Sequence, residues 1–179
     1  TYVFNYFING LEGKTYHIVN LGFHLVCSCF VMWIARFLAG GRGALIAGML
    51  FVLHPANTEV VNYVSSRSES LAAFFYLLAV GLFLRYERDR LTRYKVGCYA
   101  AFALGLLSKS IVITFPLVTC LFIKNISDCS KRFVDKTAIK FWKQIVSCIR
   151  QYPFFWLVGI GYIFWISSIG FLGKSLIGA

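Results

Sequence analysis

HPANTEVVNYVSSRSES, residues 54–70, brings a histidine, two glutamates and an arginine together between apolar runs. From Pro55 onward, helical spacing puts Glu59, Asn62 and Tyr63 on one face, a carboxylate, an amide and a phenol able to contact one polar ligand. A carboxylate at the rim of a membrane cavity is costly unless paired, so Glu59 points to function. His54, just before Pro55, fits the end group of a short helix as well as a cavity contact. Ser66-Arg67-Ser68-Glu69 has the S-x-x-E form of a capping box ahead of the apolar LAAFFYLL, so Glu69 serves first as a helix start and second as a rim carboxylate.

Two cations complete the set. Arg67 and Lys109 each stand at the mouth of an apolar segment, where a long cationic side chain ordinarily lifts its charge to the headgroups. Lys109 lies between two segments too short to span a bilayer, which places it deeper, and a cation facing a cavity needs an anion such as a lipid phosphate. His17, Asn20 and His24 form one stripe at i, i+3 and i+7. Two histidines and an amide can face a cavity, but without a carboxylate or a third histidine they make no metal-ligand set.

These residues must be held by membrane segments. The 179 residues are 59% hydrophobic and only 14% charged, with a mean hydropathy of +0.71, too apolar for a soluble domain with a water-facing surface. Six apolar segments follow: Tyr16 to Ala35, Ala44 to His54, Leu71 to Leu84, Val96 to Ser108, Ile111 to Ile123 and Pro153 to Leu172. Only the first and last approach the ~20 residues that cross ~30 Å of hydrocarbon. Helices that end early, as at Ser108-Lys109-Ser110, are tolerated where polar backbone is buried in protein or lines a wet cavity. The stretch Lys131 to Arg150 alternates basic and apolar residues and reads as an amphipathic helix on the inner leaflet. The expected fold is all-α: a polytopic transmembrane bundle of about six segments, with that one amphipathic helix on its cytoplasmic side.

The net charge of +11 does not indicate nucleic acid, because most basic residues sit in short stretches beside apolar runs, as in juxtamembrane anchoring. If the segments alternate, fourteen of the eighteen basic residues, from Arg36 and Arg42 to Arg150, share one side. The positive-inside rule makes that side cytoplasmic and turns residues 54–70 and Lys109 outward. Asn125-Ile126-Ser127 matches a glycosylation pattern but falls on the cytoplasmic side. The six cysteines show no CxxC spacing and read as small buried hydrophobes. No cleavable signal sequence opens the chain, so an outward N-terminus implies an earlier span, and residues 1–179 read as one transmembrane domain lacking its first span and first outer loop.

YHIVNLGFHL, then ALIAGMLFVLHPANTEVVNYVSSRSESLAAFFYLLAVGLFLRY, then FALGLLSKSIVITFPLV together resemble the membrane domain of the GT-C glycosyltransferases. They look most like its protein O-mannosyltransferase-like and tetratricopeptide-repeat-bearing members. The resemblance covers most of residues 1–124 and is specific in HP-x-x-T-E-x-V and LLSK; residues 125–179 share only general character. It implies a multi-span enzyme, of a bacterial inner membrane or an endoplasmic reticulum membrane, that passes a sugar from a polyprenyl (dolichyl) phosphate carrier to an acceptor hydroxyl on the periplasmic or luminal face. It also implies a catalytic acid on a first outer loop ahead of Thr1, and further spans and repeats beyond Ala179. Within this frame Arg67 and Lys109 would hold the lipid phosphate, and His54, Glu59, Asn62, Glu69 and His24 would line the cavity. The expected partners are membrane lipids, the lipid-linked sugar donor and other membrane subunits, with no metal and no nucleic acid. A different class also fits: a non-enzymatic transmembrane subunit descended from such an enzyme. A transporter has less support, since no pair of broken helices repeats in two halves.

Overall fold

Helices dominate the computed structural model, which describes residues 13–55, 57, 67–120, 146 and 149–177, with side chains placed between residues 17 and 169; no strand occurs among them. The elements are α1 (Gly13–Leu53), α2 (Arg67–Asp89), α3 (Thr92–Ser108), a 3-10 turn (Ser110–Thr114) and α4 (Pro153–Ile177). Two compact units divide the chain, Thr1–Val112 and Ile113–Ala179. Every described residue of the expected apolar segments falls on helix apart from His54, and residues 121–123 lie outside the described residues. Most of the expected amphipathic helix, residues 131–145, lies outside the described residues, as do Glu59, Asn62 and Tyr63.

Among the residues whose side chains are described, two helices are long and apolar enough to cross a membrane, His17–Leu53 and Arg67–Asp89, and the apolar helical stretches Ser110–Cys120 and Pro153–Ile169 are shorter. The first of the long pair is not one rod. At Gly40 the backbone takes φ 73° and ψ −173°, a region that only glycine occupies without strain. The chain folds back there into arms 13–39 and 41–53. Their antiparallel pairing is plain from Ser28 Oγ, which donates to the Gly48 carbonyl at 3.2 Å, and from Met32, whose side chain fills the space a Cβ on Gly48 would need. Because nothing lies within 4 Å of a Cβ added at Gly40, Gly40→Ala tests the backbone alone. It should cost about 1–3 kcal/mol in thermal unfolding. Gly41→Ala, also in open space but helical, should be neutral or slightly stabilising.

α2 and α3 form a second antiparallel hairpin, joined by Arg90 and Leu91. Arg90 has a positive φ of 55°, and its N–H reaches the Tyr86 carbonyl at 2.7 Å, closing the C-terminus of α2 in the left-handed manner usually given to glycine. Along the seam Phe83 and Phe102 are fully buried, Cys98 Sγ donates to the Ala79 carbonyl at 3.3 Å, and Gly105 lets Val112 and Phe75 close in on the α3 backbone. Burying rings of this size supplies the main stabilisation, on the order of 1.5–3 kcal/mol each.

Arm 13–39 runs parallel to α2. Phe74 receives Phe23 and Phe30 edge-on, with centroids at 5.8 and 5.4 Å, and farther along the Trp33 ring lies on Gly81. Phe74 therefore packs between helices: a flat ring with aromatic neighbours gains from edge-to-face contact. The four segments of this unit thus alternate in direction. One end carries the Gly40 turn, Arg36, Arg42 and the basic turn from Arg85 to Lys95. The opposite end carries Asn20, His54, Arg67, Glu69 and Lys109.

In the C-terminal unit Phe115 meets Phe155 at 5.0 Å, and both are buried with Tyr152. Pro153 occupies the first position of α4, where its missing N–H costs nothing. Ser167 and Ser168 donate back to the Ile163 and Phe164 carbonyls at 2.8 and 2.9 Å, so hydroxyls in an otherwise apolar helix are satisfied internally.

Candidate functional site

The polar end of the N-terminal unit is built by helix termini. Arm 41–53 stops level with His24, while arm 13–39 continues eleven residues further to Gly13, roughly 16 Å at the α-helical rise. A helix that stops short leaves its last carbonyls without partners. Two of them are met by side chains: Asn57 Nδ2 donates to the Phe51 carbonyl at 2.6 Å, and His24 Nε2 lies 3.4 Å from the Val52 carbonyl oxygen. That contact calls for the proton on Nε2. The His24 ring also stacks on Phe51 at 5.2 Å and is 9% exposed.

Asn20, His24 and Ser28 are all buried, whereas His17 is exposed. The polar stripe that faces protein is therefore i, i+4, i+8 from Asn20, one turn displaced from a stripe starting at His17. Its upper member reaches α2: Arg67 Nε donates to Asn20 Oδ1 at 3.3 Å, with Asn20 0% and Arg67 1% exposed. Arg67 is the first described residue of α2. Its burial there runs against desolvation, the kind of local conflict that marks a residue kept for something other than stability.

Glu69, two residues on, points a different way. Successive α-helical residues turn about 100°, so positions two apart lie on nearly opposite faces. Arg67 turns to α1, and Glu69 turns to α3, where Lys109 Nζ donates to its Oε1. The Glu69 and Lys109 side chains are 48% and 42% exposed. Lys109 sits just past α3 in extended backbone, its N–H held by the Gly105 carbonyl at 3.0 Å, and the 3-10 turn follows at once. Glu69 thus acts as a cross-helix ion partner; Ser66, which would complete a capping box with it, lies outside the described residues. His54 is exposed at the end of arm 41–53. The structure brings Arg67, Glu69, Lys109, Asn20, His24 and His54 to one end of the unit, and Glu59 and Asn62 fall outside the described residues.

Chemically, this end offers one buried guanidinium fixed by an amide and one accessible ammonium shared with a carboxylate. Planar guanidinium donors suit tetrahedral oxyanions. Among the described residues no three His, Cys, Asp or Glu side chains gather as a metal site.

The model of the family described as dolichyl-phosphate-mannose-protein mannosyltransferase matches residues 7–147, a stretch that contains α1, α2 and α3. The chain belongs to this mannosyltransferase family. It is similar to Protein O-mannosyl-transferase TMTC3 of Homo sapiens, 34% identical over 90 residues, covering 50% of this chain and 10% of that protein. It is 40% identical over 90 residues to Protein O-mannosyl-transferase Tmtc1 of Drosophila melanogaster, again 50% of this chain and 10% of the relative. A longer match, 37% over 126 residues, is to Protein O-mannosyl-transferase Tmtc2 of Drosophila melanogaster, covering 66% of this chain and 13% of that protein. The chain spans about a tenth of the length of these relatives. No solved structure matches it. Membership of this mannosyltransferase family and the two long apolar helices agree on a membrane protein.

Proposed function

We propose that this chain contributes the donor-phosphate side of a protein O-mannosyltransferase active site in a multi-pass protein of the endoplasmic reticulum membrane, with the Arg67–Lys109 end turned to the lumen. The donor is dolichyl-phosphate mannose and the acceptor a protein hydroxyl. The acceptor oxygen attacks the anomeric carbon, the bond from that carbon to the phosphate oxygen breaks, and dolichyl phosphate leaves with the bonding pair while a carboxylate base takes the hydroxyl proton. Arg67 and Lys109 offset the charge that grows on the leaving phosphate, an effect that strengthens as water is excluded. His54, Glu59, Asn62 and His24 border the sugar or acceptor side.

The observation that supports this reading is that Arg67 and Lys109, though they meet different faces of α2, both stand at the end opposite the basic turns, in a chain of a dolichyl-phosphate-mannose-protein mannosyltransferase family. Glu69 bears on it directly. With Glu69 as its partner, Lys109 is poised beside the site and released to phosphate when the donor arrives.

The test is mannosyl transfer from dolichyl-phosphate mannose to an acceptor peptide by the intact protein in membranes. Lys109→Ala should raise the donor KM on the order of tenfold to a hundredfold, the worth of one charge-assisted hydrogen bond. Its thermal midpoint should barely move, since a half-exposed ion pair contributes ~1 kcal/mol or less. Unchanged donor KM in a folded Lys109→Ala protein would remove Lys109 from the site. Absence of any transfer by the wild-type protein would favour a non-enzymatic membrane subunit.

A further inference from the structure

The end of the N-terminal unit opposite Arg67 holds a basic and aromatic surface that mannosyl transfer does not use. Between Arg85 and Lys95 lie five cations, Arg85, Arg88, Arg90, Arg93 and Lys95, and two acids, Glu87 and Asp89. Both acids are already engaged: Asp89 holds Arg85 Nε at 2.7 Å, and Glu87, its side chain only 7% exposed, holds Arg90 at 2.8 Å. Arg88, Arg93 and Lys95 meet no carboxylate among the described residues.

Tyrosine rings brace several of the cations in this stretch, Arg93 and Lys95 among them. Arg93 lies over Tyr94 at 5.0 Å, and Arg85 over the same ring at 5.7 Å. Lys95 stands between Tyr86 and Tyr99, at 5.9 and 5.8 Å. Stacking fixes the cationic groups, and Arg93, which gives one Nη2 donor to the Tyr94 hydroxyl at 3.3 Å, keeps its remaining N–H groups for other acceptors. The Arg85 hydrogen bond to Tyr94, with Arg93 adding to it, pulls the Tyr94 phenol below its usual range against the opposing effect of desolvation. The first turn of α3 contains no acid, although a helix start favours one, so nothing within that turn offsets Arg93 and Lys95. Depth completes the picture: the apolar run of α2 ends at Leu84 and that of α3 begins at Val96, which puts the cluster at headgroup level.

We propose that this surface binds the phosphorylated headgroup of an anionic membrane lipid, with a preference for a phosphomonoester. Three cations without carboxylate partners match a doubly charged headgroup better than a singly charged phosphodiester, and planar guanidinium forks engage phosphate oxygens in pairs. Arg36 and Arg42, at the same end of the unit, extend the favourable field without making the specific contacts.

The experiment uses the intact protein in nanodiscs of phosphatidylcholine doped, at equal total charge, with phosphatidylserine or phosphatidylinositol 4-phosphate, followed by native mass spectrometry of retained lipid. The wild type should retain the phosphoinositide on the order of tenfold over phosphatidylserine. Arg88→Gln with Arg93→Gln should reduce that retention by roughly fivefold for each charge removed, with the thermal midpoint in pure phosphatidylcholine unchanged because both side chains are exposed. Arg88→Gln alone gives the same reading, at half the logarithmic effect, if the pair impairs folding. Equal retention of both lipids, which would mean a general surface field, or retention unaffected by the substitutions, overturns the proposal.

Discussion

Arg67→Ala should abolish measurable donor use and also loosen the fold, a pairing that no other single change in the chain should produce. Removing the guanidinium takes from the fully buried Asn20 amide a hydrogen bond to a charged group, about 1.5–3 kcal/mol. If Arg67 also meets the leaving phosphate, transfer falls on the order of a hundredfold or more, as for loss of other preorganised charge-stabilising donors. Arg67→Lys separates the two contributions. An ammonium keeps the charge but cannot hold Asn20 and phosphate at once in a planar fork, so part of the transfer rate should return while the stability loss persists. A cycle with Asn20→Ala checks the pairing: coupling near zero in thermal unfolding would show that the 3.3 Å contact contributes nothing.

Gly81→Leu is expected to be the most damaging purely structural change. The Trp33 ring occupies the space a Cβ at Gly81 would need, and Gly81 is buried in the middle of α2. A larger residue forces arm 13–39 and α2 apart along a seam that also holds Phe23, Phe30 and Phe74. Overpacking of this kind costs about 1–3 kcal/mol, and Leu, with its full side chain, belongs at the upper end. Gly81→Ala with Trp33→Leu should recover most of the loss in thermal unfolding. No recovery would mean that the glycine serves the helix backbone and not the ring.

Much of this arrangement was legible before any coordinates. The apolar segments coincide with helices because each has the length and composition to bury or face lipid. The distribution of cations matches the alternating helix directions because charges at turns avoid the apolar layer. Gly-Gly-Arg-Gly at 40–43 breaks an otherwise continuous apolar pattern, and the fold-back at Gly40 follows. Contacts distant in sequence were not legible. Asn20 and Arg67 are 47 positions apart and Glu69 and Lys109 are 40 apart, and no local pattern announces either pair. Glu69 illustrates the difficulty: its capping pattern is local and common, yet its side chain answers a lysine on the neighbouring helix. The i, i+4, i+8 spacing of Asn20, His24 and Ser28 was the available clue to a buried polar seam, and the nearby His17 obscures it.

The central claim is that the sparsely charged end of the α2–α3 hairpin receives the phosphate of a lipid-linked sugar. The most direct measurement is an experimental structure of the intact protein with dolichyl-phosphate mannose bound. The account predicts the donor phosphorus within hydrogen-bonding reach of Arg67 or Lys109, with Lys109 drawn away from Glu69. A donor phosphate seated elsewhere, with Arg67 still closed on Asn20 and Lys109 still on Glu69, would contradict it.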